Sequence, residues 1–127
     1  VIRWLTLEEV LYLHSETLRE HGGRAGVRDQ GLLESAIARP RNLHACEGVL
    51  DLCPLAAAYA CGISCNHPFL DGNKRTAFSA LGVFLMLNRA RLTASEAEAA
   101  VVMLELAAGA LEERTLAAWL REHVREV

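Results

Sequence analysis

The run HPFLDGNKRTAF, His67 to Phe78, gathers an imidazole, a carboxylate, an amide and two cations within nine residues. An imidazole with an ordinary pKa of ~6.5 is suited to taking a proton from an attacking hydroxyl near neutral pH. Asp71, four residues on, is a hard oxygen ligand of the kind that holds Mg²⁺ against phosphate oxygens. The apolar residues that follow predict a helix beginning at Gly72 or Asn73, and the first turn of a helix has unpaired N–H groups and a partial positive charge that receive anions. Gly72 lets that backbone approach an anion closely, and Asn73 offers a side-chain amide donor. Lys74 and Arg75 fall in the same turn, where the helix dipole disfavours cations. A bound polyanion removes that conflict, because cations beside open amides neutralise charge on a transferred phosphoryl group. Base, metal ligand, anion cradle and cations thus stand in the order that phosphoryl or nucleotidyl transfer needs, with Pro68 and Phe69 shaping and anchoring the turn.

Taken singly, each residue has a plainer reading. His67 could cap the preceding helix, Asp71 could be only the N-cap of the next, and Lys74 and Arg75 could be solvated. It is their concentration in one turn that points to catalysis. A Walker loop does not compete, since GxxxxGK[ST] places Gly directly before Lys and here Asn73 separates Gly72 from Lys74.

The elements that must position this turn read as helices throughout. Thr6 to Glu9 has the form of a capping box, and Leu7, Val10, Leu11, His14 and Leu18 recur at helical spacing until Gly22 and Gly23. Asp29 reads as the N-cap of a short second helix with Leu32, Leu33, Ala36 and Ile37 on its apolar stripe and Pro40 as its stop. From Arg41 to Cys53 the period is lost, which predicts a surface excursion or a short helical turn. A third helix starts near Pro54 and runs through Leu55, Ala58, Tyr59 and Ile63 to Asn66. Asn73 to Asn88, apolar nearly all round, is expected to be a central helix enclosed by the others. Thr93 or Ser95 caps the next helix, and Thr115 opens the last. No strand alternates convincingly, and no repeat or linker divides the chain. The expectation is an all-α, compact single-domain bundle spanning 1–127, with a buried central helix.

At 127 residues the chain is long enough for a substantial core, and its 52% apolar and 23% charged content excludes disordered and fibrous classes. A net charge of -3 with dispersed cations argues against direct nucleic-acid binding. No apolar run reaches the ~20 residues of a membrane span, and no secretory signal pattern opens the chain, so a cytoplasmic location without membrane attachment is expected. Cys46, Cys53, Cys61 and Cys65 include no CxxC pair, which disfavours zinc and disulfides. Cys61 and Cys65 read instead as small buried hydrophobes.

HPFLDGNKR resembles the signature of the Fic/Doc superfamily, in particular its death-on-curing (Doc) branch, HxFx[DN][AG]NKR. GGRAGVRDQGLLESAIARP, LEEVLYLH and FSALGVFLMLN are also similar to that branch, so the resemblance covers the chain to about Leu92 and is looser beyond. It implies the Fic fold, with His67 as general base, Asp71 as Mg²⁺ ligand, and Gly72, Asn73, Lys74 and Arg75 as the phosphate site for ATP. The wider Fic pattern, HPFxxGNGRxxR, is met only in part: Lys74 replaces the second glycine of GNG, and Phe78 the last arginine. In Fic enzymes those positions help orient ATP for AMP transfer. Their replacement resembles Doc, in which the nucleotide is reversed and the γ-phosphate goes to a threonine of elongation factor Tu. The resemblance therefore implies a protein kinase that halts translation, with AMP transfer, or a non-catalytic domain binding nucleotide or antitoxin, as alternatives. Cys65 departs from the arginine common two residues before the histidine.

Fic proteins with a built-in inhibitory helix carry [ST]xxxE[GN]. Here Ser15, Thr17 and Ser95 are followed four residues later by Arg19, His21 and Ala99, so the resemblance implies restraint in trans by an antitoxin protein. Arg41 to Cys53 occupies a position similar to that of the Fic target-docking flap.

Overall fold

A computed structural model describes the whole chain, Val1–Val127. Six helices carry the fold: α1 (Leu7–His21), α2 (Gln30–Glu47), α3 (Leu52–Asn66), α4 (Asn73–Leu87), α5 (Glu96–Ala107) and α6 (Glu113–His123). Two short strands, β1 (Ala90–Leu92) and β2 (Val124–Glu126), pair antiparallel with Leu92 opposite Val124 and hold the end of the chain against the exit of α4. The all-α bundle expected from the sequence is thus what the chain forms, with this one small ribbon added. A three-residue strand is too short to show a period-2 pattern, which is why it was illegible.

The helix starts follow local chemistry. Thr6 and Glu9 form the reciprocal capping box of α1, Asp29 accepts from the Leu32 N–H at the start of α2, and Ser95 and Glu98 form a second box at α5. Asp51 caps α3 by accepting from the Cys53 N–H, and the helix begins at Leu52, two residues before the expected start at Pro54. The last helix likewise begins at Glu113 rather than Thr115.

Two expectations fail, for related reasons. Pro40 does not stop α2, which continues to Glu47 and ends on the left-handed Gly48. Pro40 is buried on the same stripe as Leu33 and Ala36, so packing holds the helix through a residue that cannot donate to it. For 41–53 it is the helical alternative that holds, not the surface excursion or flap: Arg41–Glu47 is the last part of α2, and only residues 48–51 separate it from α3. The second correction concerns the centre of the bundle. It is α3, not α4, that is enclosed, being buried continuously from Leu55 to Ser64 and packed against α2, α4 and α6. Leu55, Tyr59 and Ile63 are fully buried, each contributing about 1.5–3 kcal/mol of burial free energy. The α4 face carrying Met86 stays in solvent. Gly62 makes the α2 contact possible, since a Cβ there would lie 3.1 Å from the Ala36 Cα. No helix is long and apolar enough to cross a membrane.

Candidate active site

Residues 67–72 join the two best-buried helices, so the turn rises from rigid elements on both sides. His67 is the C-cap of α3 and adopts a left-handed backbone, φ 51° and ψ 54°, with its N–H still donating to the Ile63 carbonyl at 3.2 Å. That geometry ends the helix and turns the chain abruptly, leaving His67 exposed while Pro68 and Phe69 fold inward. Phe69 is 1% exposed and stacks on the buried His14 ring, 3.8 Å between centroids and 7° between planes. It is the anchor of the turn.

Gly72, φ 77°, is the left-handed N-cap of α4, and no side chain caps this helix. The backbone N–H groups of Asn73, Lys74 and Arg75 therefore have no partner, and the first backbone bond of the helix is from the Thr76 N–H to the Gly72 carbonyl. Lys74 and Arg75 are exposed and engage in no ion pair. A cleft of ≈ 320 Å³ opens here, lined by Ser64, His67, Asp71, Asn73, Lys74 and Arg75 among others. A second, ≈ 480 Å³, adjoins it across the same two cations and is walled by Phe78, Met103 and Leu104. A separate polar hollow along α2, ≈ 390 Å³ and lined by Arg39, Asn42 and Cys46, contains none of these groups.

The Asn73 side chain does different work from that expected of it. It is buried, its Oδ1 accepts from the Phe69 N–H, and its Nδ2 donates to the Phe69 carbonyl, both at 2.9 Å. Nδ2 also reaches His67 Nδ1 at 3.3 Å. With both amide protons spent inside the turn, the donor that Asn73 offers to the cleft is its backbone N–H rather than its side chain. An amide nitrogen can only donate, so His67 Nδ1 accepts here. That lone pair is held by a contact at the long end of the hydrogen-bond range, which an incoming hydroxyl can replace.

Asp71 is exposed. Its Oδ1 accepts from the Gly72 N–H at 2.8 Å and its Oδ2 from the Arg24 N–H at 3.2 Å. These N–H groups, Arg24 first and then Gly72, hold its carboxyl below the usual carboxylate range, and the charges of Arg24 and Arg75 add to them. Two accepted bonds leave lone pairs free, and a single carboxylate completed by substrate phosphates is an ordinary Mg²⁺ arrangement, so the donor set fits that ion.

Sequence reasoning missed the residues that brace the turn. His14 Nε2 donates to the Asp71 carbonyl at 2.8 Å. The segment after α1 pairs with the turn: the Leu70 N–H donates to the Gly26 carbonyl, the Arg28 and Asp29 N–H groups donate to the Pro68 carbonyl, and Val27 bridges Phe69. Gly23 lies so close to Asp71 that a Cβ would stand 2.8 Å from Oδ2. The glycines of GGRAG signal a backbone that must come close to something, but the sequence does not say that this is the His67–Gly72 turn. Cys65, exposed at the end of α3, corrects its reading as a buried hydrophobe, whereas Cys61 is buried; all four thiols are free.

The sequence profile of the Fic/DOC family matches residues 4–85, from the segment before α1 to the last turns of α4. Two characterised relatives align with the chain. The Toxin Doc of Mycolicibacterium smegmatis is 42% identical over 74 residues, which are 58% of this chain and 57% of that protein. The Protein kinase doc of Escherichia phage P1 is 34% identical over 87 residues, 68% of this chain and 69% of that one. The chain thus spans little more than half the length of the first relative and about two-thirds of the second.

Proposed function

The chain belongs to the Fic/DOC family, and on that premise we propose that it is a Doc-like toxin of a toxin–antitoxin pair that transfers the γ-phosphoryl group of ATP to a Ser or Thr hydroxyl of a translation factor, elongation factor Tu. The observation that carries this reading is the start of α4. Three open backbone amides and two unpaired cations face a cleft whose rim holds an imidazole and a carboxylate. The relative named as a protein kinase supports phosphoryl transfer, and both relatives named Doc support an antitoxin partner.

In this reading the Asn73, Lys74 and Arg75 amides and the Lys74 and Arg75 side chains bind the phosphoryl oxygens and the charge that develops on them. His67 takes the proton of the acceptor hydroxyl as its oxygen forms the new P–O bond, and the bond from the γ-phosphorus to the bridging oxygen breaks with ADP as leaving group. Asp71 is the residue that would hold Mg²⁺, which when bound neutralises phosphate charge. Gly72 contributes the turn that presents the amides.

The test is transfer to purified elongation factor Tu from ATP labelled at the α or the γ position. Label arriving from γ alone is the expected result. Label from α would replace this reading with AMP transfer, and no label with retained antitoxin binding would leave a binding domain.

A further inference from the structure

We propose that Arg28 is a positioning residue for His67, its guanidinium holding the left-handed backbone from which the imidazole reaches the cleft. The inference rests on the reading of His67 as the base. Residues with a Cβ seldom hold a positive φ without support, and apart from Arg89 beside the β-ribbon, His67 is the one non-glycine residue of this chain that does. The support is specific. Arg28 Nε donates to the His67 carbonyl at 2.7 Å, and Nη2 donates to the Asn66 carbonyl at 2.8 Å. The backbone N–H of the same residue donates to the Pro68 carbonyl at 2.7 Å. One residue thereby grips three consecutive peptide units, 66 to 68, with the candidate base in the middle.

Arg28 makes no ion pair, so its hydrogen bonding to the protein goes entirely to backbone carbonyls. The planar fork of a guanidinium can meet two adjacent carbonyls at fixed angles, whereas an ammonium is a point charge that cannot fix both. On the other side of the turn Asn73 reaches the ring itself at Nδ1. Backbone and ring are therefore held separately, and a rotation of the 66–67 peptide would move the imidazole relative to the open amides of α4.

The competing explanation is that Arg28 only caps the C-terminus of α3, which would alter stability and nothing else. Arg28→Met and Arg28→Lys separate the two, with Asp51→Ala as a control that removes a cap from the other end of the same helix. Steady-state transfer from γ-labelled ATP to elongation factor Tu is measured beside melting temperature, and the imidazole resonances of His67 are followed by NMR. Arg28→Met is expected to lower kcat by about 30-fold or more with the KM for ATP within about twofold, the scale of a small misplacement of a reacting group. Asp51→Ala should lose comparable thermal stability with kcat unchanged, Arg28→Lys should recover little, and millimolar guanidinium should raise the kcat of Arg28→Met. A kcat within about threefold of wild type in Arg28→Met, or an equal loss in Asp51→Ala, would overturn the proposal. If wild type transfers no label, the kinase reading fails, and the NMR decides separately. His67 resonances displaced in Arg28→Met while those of His44 and His123 stay support the positioning role; unmoved His67 resonances overturn it.

Discussion

His67 is exposed at the end of a helix that is buried from Leu55 to Ser64, and Arg28 holds its carbonyl, so its ring is accessible while its backbone is fixed. Replacing it with Ala removes proton acceptance and leaves the open amides of α4 untouched. His67→Ala should therefore lower kcat by about 10²–10⁴-fold while the nucleotide dissociation constant, read by calorimetry, changes less than about threefold. Retained turnover would remove His67 as the base. Lys74 stands where the wider Fic pattern has the second glycine of GNG, and it carries a free charge beside the open amides. Lys74→Gly is expected to move the transferred label from the γ toward the α position of ATP. An unchanged product would show that the ammonium does not select the orientation of the nucleotide.

At the scale of elements, the site is a junction between two loops, and its weakest tolerance is at Gly23. The backbone there has φ 125°, and an added methyl would meet Asp71 Oδ2 at 2.8 Å and Leu18 Cδ2 at 3.0 Å. Gly23→Ala should cost about 1–3 kcal/mol in urea unfolding, the scale of forcing a side chain into a glycine-only conformation. It should also weaken activity by displacing Asp71. What the sequence disclosed about this junction was uneven. The His67–Gly72 turn, the start of α4 and the end of α3 were legible because capping, apolar runs and the crowding of polar groups are local signals. The partner loop was not, because a hydrogen bond such as Arg28 to His67 joins residues 39 apart and leaves no periodic mark. Pro40 misled for the same reason: local propensity says stop, and tertiary burial against α3 overrides it. The direction of the Asn73 amide was not legible either, because it is set by the Phe69 backbone N–H and carbonyl, which the turn brings against it.

For the whole molecule, the groups whose ionisation is tied to folding set the pH window of stability. Asp71, Glu16 and Glu98 all have carboxyls held below the usual range, by backbone N–H groups at Asp71, by the Arg19 side chain at Glu16 and by Ser95 at Glu98. A carboxyl depressed in the folded state contributes stability that is present above its unfolded pKa of ~4 and disappears as pH falls through the lowered value. The melting temperature should therefore fall in acid below about pH 4, and Asp71→Asn should make that fall shallower because one of the three contributions is gone. The alkaline limb has a different origin. Burial pushes the Cys53 thiol up to about 11 and the Cys61 thiol up to about 12, with Asp51 and Glu113 respectively adding to the effect. A thiol whose folded pKa is raised contributes stability that is complete below the unfolded value of about 8.5 and is lost as pH rises toward the folded one. Both thiols lie on α3, the enclosed helix, so the protein should begin to lose melting temperature above about pH 8.5–9. Cys61→Ala leaves a small cavity and should cost about 1 kcal/mol at pH 7, but the deficit should shrink at pH 10.5, where only the wild-type chain must keep that thiol protonated to stay folded. A deficit that stayed constant between the two pH values, measured by thermal unfolding, would show that Cys61 does not shape the alkaline limb. Thiol labelling of the folded protein gives an independent check of the same burial, with Cys46 and Cys65 reacting rapidly and Cys53 and Cys61 only as fast as α3 opens.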